Sequence, residues 1–71
     1  MDNTKLKNSI KIFRAMFNIS QRELAEVIGV TRKTINTIET GRFVPSTILA
    51  MKIAKYFKVA VEEVFELDEE E

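Results

Sequence analysis

Cysteine and histidine are both absent from these 71 residues, which excludes disulfides, thiolate metal sites and imidazole catalysis. Proline occurs once, at Pro45, and glycine twice, at Gly29 and Gly41, so each break in the chain is informative. No apolar run approaches a membrane span and no signal-peptide pattern opens the sequence, so a cytoplasmic protein with no membrane partner is expected. Paired carboxylates occur only near the C-terminus, at Glu62, Glu63 and Glu66, where a helix start and a solvated run account for them. There is no glycine-rich phosphate loop, no nucleophile beside a base and no metal-ligand cluster. An enzyme is therefore not expected, and the sequence implies no cofactor, no metal ion and no small-molecule effector.

What the chain does contain is enough for one small domain. Apolar residues make up 45% of it, sufficient for one modest helical core that dimerisation would reinforce. The formal net charge of zero hides a division. All eleven Lys and Arg fall within residues 1–58 against four acids, Asp2, Glu23, Glu26 and Glu39, a net of +7. The last thirteen residues carry seven acids and no base, a net of −7. A basic body suits a polyanionic partner, while the acidic end equally serves to keep the chain solvated.

The stretch SQRELAEVIGVTRKTINTIETG, residues 20–41, organises the rest. Ser20 and Glu23 form a capping box, which starts a helix at Gln21. Leu24, Val27 and Ile28 supply its apolar stripe, and Ala25 is small enough for a close helix crossing. Gly29 ends it in a left-handed turn, Val30 dips back to the core and Thr31 caps the next helix. On that second helix Ile35 and Ile38 share a narrow buried face. Lys33, Asn36, Thr37 and Thr40 lie opposite, with Arg32 at the flank. These long donors, amides and hydroxyls are the side chains that reach phosphates and base edges in a major groove.

Upstream, Ile10, Phe13 and Phe17 recur at helical spacing, widened by Ile12 and Met16, which predicts a helix over residues 8–17 capped by Asn8 or Ser9. Leu6 would extend it with Thr4 as cap, although Lys5-Leu6-Lys7 also alternates like a strand, the preferred assignment. Downstream, Arg42 to Ser46 form a loop around the proline, and Ser46 caps a helix that buries Leu49, Ala50, Ile53, Ala54 and Phe57. A short helix over residues 61–64 follows from Ala60, a poor cap, and should fray. Phe65 to Asp68 alternate again, and Glu66 and Asp68 complement Lys5 and Lys7 for cross-strand pairing. Residues 1–67 are expected to form the domain and residues 68–71 an acidic, disordered tail.

Arg14, the runs from Ile19 to Ala25 and from Ile28 to Gly41, Pro45-Ser46 and Met51 to Lys55 together resemble the XRE, or Cro/CI-type, helix-turn-helix regulators over about residues 8–65. The resemblance implies a mainly all-α, lambda-repressor-like bundle of five helices, with a small two-stranded sheet from the chain ends in the short relatives. It implies double-stranded DNA as partner, with Arg32, Lys33, Asn36 and Thr37 reading bases. Ser20, Gln21, Thr31, Arg42, Phe43 and Arg14 would meet the backbone, and Glu39 would pair with Arg14 to brace the third helix. The expected function is a homodimeric repressor on a palindromic operator. The alternative is a protein-interaction or antitoxin-like adaptor, favoured by Val44 and Ile48, which replace the usual polar residues, and by the acidic end. Lys58 also departs from the family by standing where glycine is common.

Overall fold

Helix boundaries follow from the caps. Ser20 Oγ accepts from the Glu23 N–H at 3.0 Å while Glu23 Oε1 accepts from the Ser20 N–H at 3.1 Å, so both halves of the capping box are present. Thr31 Oγ1 accepts from Thr34 N at 3.2 Å and Ser46 Oγ from Leu49 N at 3.1 Å. These caps begin α2 (Gln21–Ile28), α3 (Arg32–Glu39) and α4 (Thr47–Phe57). The first helix, α1 (Ile10–Phe17), is capped by Asn8, whose Oδ1 accepts from Ile10 N at 3.2 Å, whereas Ser9 makes no side-chain cap bond. Before α5 (Val61–Val64), Ala60 offers no side-chain acceptor, but Glu63 Oε2 accepts the Ala60 N–H at 2.9 Å.

The computed structural model describes residues 5–68. Thr4 as a cap and the expected disorder of residues 69–71 lie outside that range. Within it, β1 (Lys5–Asn8) pairs antiparallel with β2 (Phe65–Asp68), in the register Lys5↔Asp68, Leu6↔Leu67, Lys7↔Glu66 and Asn8↔Phe65. Opposite charges therefore face each other at two of the four pairs. Asp68 ends β2 opposite Lys5, in keeping with the alternation of Phe65 to Asp68 in the sequence.

Ile10, Leu24, Ala25, Ile28, Ile35, Ile38, Ile53, Ala54, Phe57, Val64 and Phe65 make the core, so every helix and β2 contribute to it. Phe57 anchors one end, stacked on Phe13 at 5.4 Å between ring centroids and edge-on to Phe17 at 5.1 Å, geometries the ring quadrupoles favour. The apolar stripe of α1 is narrower than expected. Ile12 and Met16 are exposed, because the second inward flank of that helix is taken by Arg14, one hundred degrees round from Phe13 on the opposite side from Ile12. Val27 on α2 is exposed as well, and Leu24 and Ile28 carry that helix's packing.

Candidate nucleic-acid interface

Gly29, at φ 90°, turns the chain between α2 and α3, and the N–H groups of Gly29 and Val30 both close on the Ala25 carbonyl, at 2.8 and 2.9 Å. Ile35 and Ile38 then fasten α3 to the core. Their burial turns Arg32, Lys33, Asn36 and Thr40 to open surface, with no acid among them. Thr37 is half-buried, and its hydroxyl donates back to the Thr34 carbonyl at 2.9 Å. Arg32, Lys33 and Asn36 thus stand on one accessible face, while Thr37 sits lower. The loop after α3 folds onto the end of that helix: the N–H groups of Arg42 and Phe43 donate to the Thr37 carbonyl at 2.9 and 3.2 Å, which keeps both exposed side chains at the rim.

Behind α3 lies a polar cluster. Arg14 and Glu39 pair bidentately, Nε to Oε2 at 2.7 Å and Nη2 to Oε1 at 3.1 Å, and Arg14 Nη1 also donates to the Ile19 carbonyl at 3.2 Å. The two side chains are only 16% and 8% exposed, so this is no ordinary surface ion pair. The hydrogen bond to Glu39, aided by that carboxylate's charge and opposed by burial, raises the Arg14 pKa above its usual value. Three of the guanidinium's five N–H donors point into the protein. That makes Arg14 a brace for α3, the role expected of its partner Glu39.

Gln21, expected at the DNA backbone, joins the same cluster. Its Nε2 donates to Glu39 Oε1 at 3.1 Å and to Asn36 Oδ1 at 3.2 Å. The hydroxyls of Ser20 and Thr31 serve as helix caps at the same rim. Since the capping box takes the N–H groups of Ser20 and Glu23, those of Gln21 and Arg22 are the donors that α2 leaves open at its positive end.

Two residues escaped the sequence reading. Lys11 is exposed and borders the clefts lined by Arg14, Ser20, Gln21 and Asn36; its spacing of three from Arg14 places both on one side of α1. Asn8 was read only as a cap, yet its Nδ2 also donates to the Ile38 carbonyl at 3.0 Å, clamping the end of α3 to β1. Nothing in local sequence announces that bond, which spans thirty positions.

A family model described as helix-turn-helix matches residues 10–64, from the start of α1 to the end of α5. An uncharacterized HTH-type transcriptional regulator of Bacillus subtilis, YgzD, is 51% identical over 65 residues, covering 92% of this chain and 98% of that protein. Another, from Methanocaldococcus jannaschii, is 46% identical over 66 residues, covering 93% of this chain and all of its own length. Among solved structures, a candidate DNA-binding protein from Bacteroides fragilis superposes with a TM-score of 0.77 at 26% identity, covering 86% of this chain and 98% of that one.

Proposed function

Because the chain belongs to the XRE-type helix-turn-helix family of DNA-binding transcriptional regulators, which are not enzymes, we propose that it is a sequence-specific repressor acting as a homodimer on a palindromic operator. The observation that carries this is the outward face of α3, where Arg32, Lys33 and Asn36 project with no carboxylate among them, Glu39 being turned inward onto Arg14. In the major groove, Arg32 and Lys33 near the start of α3 reach O6 and N7 of guanine, and the Thr37 methyl packs on thymine. Each good bidentate contact contributes about 1–3 kcal/mol of discrimination. Ser20, Thr31, Arg42, Phe43, Lys11 and the open N–H groups of Gln21 and Arg22 line the flanks, where phosphates pass.

Homodimerisation is supported by apolar side chains away from α3. Val44, Ile48, Met51 and Leu67 are more than half exposed, and Leu6 and Pro45 line the grooves beside them. Covering them with a second copy would remove that surface from water. Two recognition helices about 34 Å apart would then read half-sites one turn of B-DNA apart, and occupancy of a promoter would block transcription in the cytoplasm.

Selection of bound duplexes from a random DNA pool tests this. The expected product is a palindrome, bound with a steep salt dependence. Lys33→Ala should relax preference at one position of each half-site; an unchanged preference would place the reading face elsewhere. If no duplex is enriched and binding is lost at moderate salt, the adaptor reading, which the same exposed Val44 and Ile48 favour, replaces the repressor.

A further inference from the structure

Amide side chains are ambiguous readers, since one end donates and the other accepts. Which end Asn36 offers to DNA is decided by a chain of three hydrogen-bonded groups. The Glu39 carboxylate, gripped by Arg14, can only accept, so Gln21 must turn its Nε2 towards it. The second hydrogen on that nitrogen then points at Asn36, at 3.2 Å, and Asn36 must answer with its Oδ1. The Asn36 Nδ2 is left as the outward group on an exposed residue of α3.

We propose that Gln21 is a specificity-positioning residue: held by Glu39, it fixes the Asn36 amide with its donor end towards DNA, so that Asn36 selects bases that offer an acceptor, purine N7 or thymine O4, and rejects cytosine. This rests on the reading of α3 as the helix that enters the major groove. Pairing of Asn36 with adenine alone needs the donor and the acceptor on one base edge together. With Nδ2 outward, adenine and guanine N7 and thymine O4 each offer it an acceptor, whereas the amino group of cytosine meets a donor and is rejected. Gln21 thereby acts on base choice without touching a base, and both hydrogens of its side-chain amide are engaged within the protein.

The test is selection from a random duplex pool by the full-length protein, with Asn36→Ala marking the base pair that Asn36 reads. Wild type should disfavour cytosine there roughly fivefold against the other three bases, the lower end for a direct base contact. Gln21→Met, which keeps the chain length without the amide, should flatten that base pair alone. A Gln21→Met protein that keeps the preference while losing affinity for every sequence alike would overturn the proposal in favour of a phosphate contact. If wild type enriches no sequence, the groove reading fails and this proposal with it; enrichment with an unaltered Gln21→Met profile sinks the positioning role alone. A DNA-free measurement adds a second check on folded protein. In nitrogen-15 spectra the Gln21 side-chain hydrogens should exchange with water more slowly than those of Asn36, and the reverse order would overturn the assignment.

Discussion

Two residues other than glycine adopt left-handed backbone here, Asn18 at φ 53° and Lys58 at φ 61°, each closing a helix. Asparagine tolerates that region, because its short side chain bonds locally; lysine gains nothing there and suffers the crowding of its Cβ against the carbonyl. Lys58→Gly should therefore stabilise the fold by about 0.5–1 kcal/mol, relief of strain outweighing the extra freedom of glycine in the unfolded chain. The converse holds at Gly29, where a Cβ would meet nothing within 4 Å but φ is 90°. Gly29→Ala should cost about 1–2 kcal/mol from backbone strain alone. Denaturant titrations of both variants check the pair, with midpoints moving in opposite directions and slopes unchanged. Gly29 was legible as a helix stop, and Lys58 stood out as a departure from its family. The expected apolar roles of Ile12 and Met16 failed because periodicity counts apolar residues, and here a paired arginine on the opposite flank is the one turned towards the protein, leaving theirs to solvent.

At the scale of elements, the start of α2 depends on an ionised side chain. The Ser20 N–H and then its hydroxyl hold the Glu23 carboxyl below its ordinary value of 4.5, against a small opposing effect of desolvation. A carboxyl whose folded pKa is depressed stabilises the fold fully above its unfolded value and loses that contribution as pH falls through the folded one. Protection of the Ser20 and Glu23 amides against exchange, relative to their intrinsic rates, should accordingly fall as the pH is lowered below 4.5. Glu23→Gln, which preserves the reciprocal bond without a titrating group, should remove that acid sensitivity. The caps at Ser20, Thr31 and Ser46 were all visible in the sequence, since each closes within three residues. The Gln21 bonds were not, because their partners lie fifteen and eighteen positions away and are set by how α2 crosses α3. Sequence pattern found the polar face of α3; only packing revealed the bonds that Gln21 makes to it.

Across the whole molecule, the separation of charge was legible at once, whereas the use of the chain ends was ambiguous between a longer first helix and a strand. Pairing of Lys5 and Lys7 with Asp68 and Glu66 accompanies the strand form. The Asn8 clamp then gives the sheet a reach beyond its own four residue pairs. One side chain both starts α1 and holds the Ile38 carbonyl, so the last turn of α3 cannot loosen independently of β1. Sheet and recognition helix should open to solvent as a single cooperative unit. In native-state hydrogen exchange, the Lys7, Glu66 and Gly41 to Phe43 amides should share one opening free energy, and Asn8→Ala should split them into two populations. The molecule would then feel whatever grips or frees its terminal strands as a change in how tightly α3 is wound at its far end.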